Sequence, residues 1–280
     1  MTTDFHGESR NPGEIRQTLE KIARAGFSHV HWCHEWSGPY LYSIHEMLQI
    51  REWLDELGLK VKGVHATHGG GTKDYVSPNE FNRLAGVELV KNRVELAHIL
   101  DAGAIVLHFK QPVEAFEKDR DYRKRFYAQA FKSFDELEPF CRVRHIRICV
   151  ENMLSEPPAS THAMFGDLFE RYDSGFMGLC FDTGHANAAC KENCVEYAER
   201  WNDRLFMIHI HDNQGRDDEH ILPFEGTFNW EAFAPVLARS PYELPITMEP
   251  SFRMEEEDGP WLERAFRAGE RFGAMVMKYR

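Results

Sequence analysis

The sequence predicts an α/β fold, a single (β/α)8 barrel formed by residues 1–280 as one domain. Three observations carry this. Short apolar runs recur along the chain and stop abruptly on an imidazole or a carboxylate, as in Ala104-Ile105-Val106-Leu107-His108 and Arg147-Ile148-Cys149-Val150-Glu151. Amphipathic helical stretches fill most of the intervals between them. The repeat is roughly 30 residues, the period expected when eight strand–helix units occupy about 250 residues. A chain of 280 residues that is 42% hydrophobic buries one large core, which suits a single barrel.

The elements follow in order. The first strand has to lie within residues 2–6, which are polar and weakly patterned, so it is expected to be short or irregular. Helices are expected over 14–24, 44–57, 87–100, 123–140, 195–201 and 261–277. Strand-like runs end near Val30, His65, His108, Glu151, Asp182, His209 and Glu249. Ala25-Gly26-Phe27, Leu57-Gly58-Leu59 and Ala102-Gly103-Ala104 each place a glycine before a strand, where a helix C-terminus takes the left-handed conformation.

Strand alternation assigns the faces. With Glu151 turned into the barrel mouth, Cys149 points inward while Ile148 and Val150 face the helices. The same count turns Asp182, Cys180 and Gly178, His209 and Met207, Glu249 and Thr247, His108 and Val106, and His65 and Gly63 inward. The polar residues ending these strands then converge on one small volume at the C-terminal face, where barrels of this class build their active sites. Carboxylates gathered there repel one another and desolvate poorly without a cation. Glu151, Asp182, His209 and Glu249, from four strands, form an oxygen-rich set suited to Mn²⁺, Mg²⁺, Co²⁺ or Zn²⁺.

The formal charge of −12 provides no global field that would draw the chain to nucleic acid or acidic lipid. The N-terminus lacks the charged and apolar regions of a signal peptide, and no apolar stretch is long enough to span a bilayer. A cytoplasmic protein is expected. Its six cysteines show no CxxC pair and are expected to be thiols in a reducing compartment.

The ordered set Glu151-Asn152, Asp182-Thr183-Gly184-His185, His209-Ile210-His211-Asp212, Asp218-Glu219-His220 followed by Glu225-Gly226, and Glu249 resembles the xylose isomerase-like TIM-barrel superfamily over roughly residues 11–277. That superfamily holds sugar and sugar-phosphate isomerases and epimerases together with apurinic/apyrimidinic endonuclease IV. The resemblance implies that Glu151, Asp182, His209 and Glu249 share one divalent ion, and that Glu151 and Glu249 also act as base and acid. A proton is removed beside a carbonyl and returned, through an enediolate whose charge the metal neutralises. Counterparts of the further endonuclease ligands are His65, His108, His185, Asp218 and His220. They either extend the metal set towards three ions or hold substrate hydroxyls.

The chain departs from the endonuclease pattern in two places. His65 is followed by Ala66-Thr67-His68-Gly69-Gly70-Gly71, and His108 by Phe109-Lys110-Gln111, without the aromatic-bearing loop or proline–glycine turn of that branch. Basic residues near the motifs are few, whereas base displacement and backbone grip call for them. The expected partner is therefore a small carbohydrate, with no nucleic acid or membrane, and a homodimer is left open. Lys110 and Arg216 are placed to meet a phosphate or hydroxyl, or are solvated loop charges. His31, His34 and Trp36, from the end of the run at Val30 and its loop, form an apolar sugar wall or cap the barrel. His185 is expected to hydrogen-bond substrate or to orient Glu249. Two alternatives stand beside the isomerase: an endonuclease IV-like phosphodiesterase, and a lyase or hydrolase of a polyol derivative that does not isomerise it.

Overall fold

The computed structural model describes residues 1–280 except 8, 10, 68–70, 155, 191–192 and 253–256. His68, Gly69 and Gly70 of the glycine-rich loop thus lie outside the described residues. Six parallel strands form one curled sheet in sequence order: β1 His29–Trp32, β2 Lys60–Thr67, β3 Ala104–Leu107, β4 Arg147–Glu151, β5 Met177–Asp182 and β6 Leu205–His209. The helices are α1 Pro12–Arg24, α2 Ile44–Leu57, α3 Glu80–Ile99, α4 Val113–Lys118, α5 Arg120–Arg144, α6 Pro158–Arg171, α7 Thr183–Ala189, α8 Glu196–Arg200, α9 Trp230–Arg239 and α10 Asp258–Met277.

The expectation of eight strands is corrected to six. At the two remaining positions the chain makes isolated parallel bridges, Thr2 with His31 and Ile210 with Met248. Backbone bonds nevertheless run around the seam. Ile210 N donates to Thr247 O (3.1 Å) and Glu249 N to Ile210 O (2.9 Å), Thr2 N donates to Met248 O (2.9 Å), and Thr3 N donates to His31 O (3.0 Å). The segments at residues 2–3 and 247–249 are too short and too irregular to build a ladder. They still satisfy the edges of β1 and β6, which would otherwise offer unpaired backbone groups.

Alternation sorts the strand residues into two cores. Ile105, Leu107, Ile148, Val150, Leu179, Phe181 and Ile208 join the large cluster shared with the helices. Ala104, Val106, Cys149, Cys180 and Met207 form a separate small cluster inside the sheet. The inward residues carry little bulk, so the interior fills without prising the strands apart. The mouth residues sit directly above this plug.

Helix ends follow local chemistry. Asn11 accepts from Gly13 N ahead of Pro12, and Ser43 with Glu46 makes a capping box. Gly58 caps α2 in the left-handed conformation (φ 66°). Beyond α3, Asp101 rather than Gly103 takes that conformation (φ 57°), which Asp tolerates better than most residues. This helix also starts earlier than residue 87, where the core-facing periodicity becomes readable. Its first turns expose Phe81 and Leu84, and the start signal is Asn79, which accepts from Phe81 N and Asn82 N. Among the described residues no helix is long and apolar enough to cross a membrane. All six cysteines are free.

Gly86 is where α3 packs onto the loop after β2: an added Cβ would stand 2.2 Å from Tyr75 N. Gly86→Ala should therefore destabilise the protein by about 1–3 kcal/mol through overpacking against backbone. Gly166→Ala in α6 meets nothing within 4 Å and should stabilise it by about 1 kcal/mol. Urea unfolding midpoints of the two variants check the pair.

Candidate active site

The strand ends deliver their side chains to one cluster. Asp182 and His209 are register partners on β5 and β6, and Glu151 ends the neighbouring β4. Just past β4, the Asn152 amide continues the ladder: its Nδ2 donates to Asp182 O (3.0 Å) and its Oδ1 accepts from Asp182 N (2.9 Å). Glu249 follows the bridge between Ile210 and Met248. Glu151, Asp182, His209 and Glu249 thereby bring one potential ligand atom each within 4.8 Å of all the others.

His209 faces this group through Nδ1, which lies 3.0 Å from Glu249 Oε2, 3.4 Å from Glu151 Oε2 and 3.9 Å from Asp182 Oδ2. Glu151 is 1% exposed and Asp182 0%, so three carboxylates meet in a nearly dry space. Among the described residues Glu151 Oε2 and His209 Nδ1 complete no hydrogen bond of suitable geometry, although both lie at ion-pair distance from neighbouring groups. Buried polar atoms without such a bond are rare and mark where something else is bound. Two carboxylate donors, a third at the rim and one imidazole nitrogen fit a divalent cation of the Mn²⁺ to Zn²⁺ series.

Imidazoles ring the carboxylates. His108 Nε2 is 3.1 Å and His65 Nε2 3.8 Å from Glu151 Oε2. His185 Nδ1 is 3.2 Å from Glu151 Oε1, and its Nε2 is 3.2 Å from Asp218 Oδ2. His185 therefore reaches Glu151, which corrects the expectation that it orients Glu249. His220 sits beside Glu249 instead, with Nδ1 2.8 Å from the Glu249 carbonyl oxygen and Nε2 3.2 Å from Asp218 Oδ2.

Burial alone would raise the Glu151 carboxyl, but His209 and His108 outweigh it and hold it well below the usual range. Asp182 is likewise lowered against its burial by His185 and His211. His185 is raised well above the ordinary histidine value, burial being overcome by Asp182, Asp218 and Glu151. His220 rises to about 9 against its burial, chiefly through its bond to Asp218.

Asp182 has a second task. Its Oδ1 accepts from His185 N (2.6 Å) and caps α7, which launches the Thr183-Gly184-His185 segment. Gly184 is required there, because a Cβ would stand 2.0 Å from His211 Cε1. His211 bonds Asp182 through Nε2 (3.0 and 3.1 Å) and stacks on His220 at 3.8 Å between centroids.

Asp212 anchors the loop carrying Asp218 and His220. Its carboxylate accepts from Asn213 N (2.9 Å), Phe224 N (3.1 Å), Phe228 N (3.1 Å) and the Trp230 indole (3.0 Å).

Trp36 packs half-buried over the rim, 4.4 Å from the His65 ring and 5.3 Å from His108, with its indole donating to Asp4 Oδ2 (3.2 Å). Lys110 and Arg216 are exposed, and among the described residues no hydrogen bond or ion pair joins either to the cluster. His31, expected in a sugar wall or a cap at the barrel end, is instead fully buried against His209. The strand runs to Trp32, and counting one residue further gives His31 the inward phase opposite Gly63.

The candidate metal site lies at the C-terminal mouth of a curled parallel sheet, and the comparisons agree with that architecture. The chain belongs to the xylose isomerase-like TIM-barrel family, whose model matches residues 19–268. An uncharacterised protein of Sinorhizobium fredii, y4fM, is 31% identical over 284 residues, 95% of this chain and 91% of that one. An uncharacterised protein of Methanocaldococcus jannaschii is 28% identical, with 85% and 80% covered. Among solved structures, a D-tagatose 3-epimerase-like protein superposes with TM-score 0.78 at 21% identity, covering 99% of this chain and 97% of its own. An L-ribulose 3-epimerase gives 0.76 at 15%, with 100% and 94% covered. At these identities the two structures establish the fold.

Asp212→Ala would orphan four donors, three of them, Asn213 N, Phe228 N and the Trp230 indole, in buried hydrogen bonds. We expect a loss of roughly 3 kcal/mol and new protease cleavage within residues 213–229. Urea unfolding and limited trypsin digestion with mass spectrometry check both; unchanged stability would show that the loop does not hang from this carboxylate.

Proposed function

We propose that the protein is a divalent-metal-dependent isomerase or epimerase of a sugar or sugar derivative, acting by proton transfer beside a carbonyl. The observation that carries this reading is the meeting of Glu151, Asp182, His209 and Glu249 within 4.8 Å, with Glu151 Oε2 and His209 Nδ1 completing no hydrogen bond of suitable geometry among the described residues. The fold neighbours named for tagatose and ribulose epimerisation support the substrate class.

Glu151, Asp182, His209 and Glu249 would hold Mn²⁺, Zn²⁺, Co²⁺ or Mg²⁺, and a cation there supplies positive charge to offset the negative charge developing on the substrate's oxygens. The chain provides the rest. Glu151 and Glu249 are the proton carriers: one takes the carbon-bound proton and the other returns it. Burial keeps water from competing at Glu151. His65, His108, His185 and His220 offer ring nitrogens to substrate hydroxyls, and Trp36 supplies an apolar wall against a sugar's C–H face. Lys110 and Arg216 lie on loops at this end and reach a ligand only as rim groups. The six free thiols suit a reducing compartment.

A second reading has its own observation. His65, His108 and Glu151 form one further potential ligand group and His211, Asp218 and His220 another, so up to three ions fit beside one another, as a phosphodiesterase of the endonuclease IV type would use. The net charge of −12 and the few basic residues near the mouth favour the small carbohydrate. A lyase or hydrolase of a polyol derivative is separated by hydrogen exchange, since only enolisation puts solvent deuterium on carbon.

Glu151→Gln and Glu249→Gln should each lower kcat by about 10²–10⁴-fold while some metal is retained. His65→Ala and His108→Ala should mainly raise KM. Kinetics with metal analysis of each purified variant check this, and joint loss of a second and third ion from the histidine variants would replace the one-ion reading with the polynuclear one.

The wild-type protein should exchange a carbon-bound hydrogen of a small ketose or aldose with heavy water and leave abasic DNA intact. A sugar panel followed by NMR, run beside an abasic-site nicking assay with Mn²⁺, Mg²⁺, Co²⁺ and Zn²⁺ in turn, decides the point. Efficient nicking without deuterium uptake reverses the order of the two readings.

A further inference from the structure

Below the mouth stands an imidazole that the proton-transfer scheme leaves unused. His31 on β1 is fully buried, and its Nε2 lies 3.2 Å from His209 Nε2. The two rings are 4.9 Å apart at an interplanar angle of 61°. The barrel makes room for this contact. His31 pairs in register with Gly63 on β2, and a Cβ at Gly63 would stand 3.2 Å from His31 Nδ1 and 2.6 Å from Met207 Cε. A larger residue at 63 would push on the ring.

Two facing ring nitrogens make a hydrogen bond only when one hydrogen lies between them. The neutral pair therefore has two arrangements. In the first, His31 donates from Nε2. His209 then carries its own hydrogen on Nδ1, the nitrogen 3.0 Å from Glu249 Oε2 and 3.4 Å from Glu151 Oε2, and that nitrogen has no lone pair for a cation. In the second, His209 donates from Nε2, its Nδ1 lone pair faces the carboxylates, and His31 carries its hydrogen on Nδ1.

We propose that His31 is a positioning residue for the cation centre: by accepting the Nε2 hydrogen of His209, it holds His209 in the tautomer whose Nδ1 can ligate a divalent ion. The inference rests on the metal reading given under Proposed function. Metal-bound histidines ordinarily present their second nitrogen to a carboxylate, a carbonyl or water. At this depth, beneath three carboxylates, an imidazole accepts the same hydrogen without adding another negative charge to a dry interior. The acceptor also comes from the strand across the barrel, so it fixes the plane of the His209 ring as well as its tautomer.

The test uses the full chain with Mn²⁺ and Zn²⁺ as probes. His31→Leu removes the acceptor and should weaken both ions by about 10–100-fold in titration calorimetry. His31→Gln can present an amide oxygen to the same hydrogen and should stay within about threefold of wild type, a rescue that a purely space-filling role would not produce. In the Zn²⁺-loaded, ¹⁵N-histidine-labelled wild type, long-range ¹H–¹⁵N spectra should place the His209 hydrogen on Nε2 and the His31 hydrogen on Nδ1. This second measurement decides the matter if His31→Leu does not fold. Wild-type affinity in His31→Leu, or a His31 hydrogen found on Nε2 in the loaded protein, overturns the inference while leaving the metal reading intact. If the wild type binds neither ion, both fall together.

Discussion

Negative charge confined in a space that water barely reaches is the constraint on which this molecule turns. Glu151 and Asp182 are buried, with Glu249 beside them at the rim, and like-charged carboxylates at this separation cannot all stay ionised unless positive partners surround them. The structure surrounds these carboxylates with imidazole nitrogens. His209, His108 and His185 contact Glu151 directly, His185 and His211 contact Asp182, and His220 with Asp218 closes the outer side.

The rest of the fold serves that gathering. Small inward residues on the strands, Ala104, Val106, Cys149 and Cys180, give the mouth a floor, and the outward Ile, Leu and Val residues bind the strands to the helices. The Asn152 side chain holds β4 and β5 together one residue beyond the ladder. Asp212 does similar service for the long loop after β6. Both are polar groups satisfied inside the protein, and each converts a strand end into a defined platform.

Much of this was legible in the amino-acid order. Period-two alternation put Cys149, Cys180 and Met207 on one face and Ile148 and Val150 on the other, and the abrupt polar stops at Glu151, Asp182, His209 and Glu249 were enough to predict their meeting. What could not be read depends on partners distant in sequence or on segments without pattern. Residues 2–3 contribute only a few backbone bonds, too little to leave a strand signature, whereas the apolar run ending at Glu249 reads as a strand although it makes only an isolated bridge. The exposed Phe81 and Leu84 hid the first turns of α3. Helix α9 carries Pro235 in its interior, which blurs an otherwise amphipathic pattern. The reach of His185 to Glu151 rather than Glu249 follows from the course of α7, which spacing alone does not specify.

If the centre holds the proposed cation, the double duty of Asp182 has a consequence for how it would fill and empty. One of its oxygens is tied to the backbone amide that begins α7, so the carboxylate keeps its rotamer whether or not a cation is near. A carboxylate already held in place would not have to be recruited, and the surrounding strands would need no shift to receive an ion. At this corner of the mouth, loading should resemble dropping a ball into a finished socket. The empty and filled forms of Asp182 would then superpose, and any movement that accompanies occupancy falls to the less confined Glu249 and to the Asp218 loop.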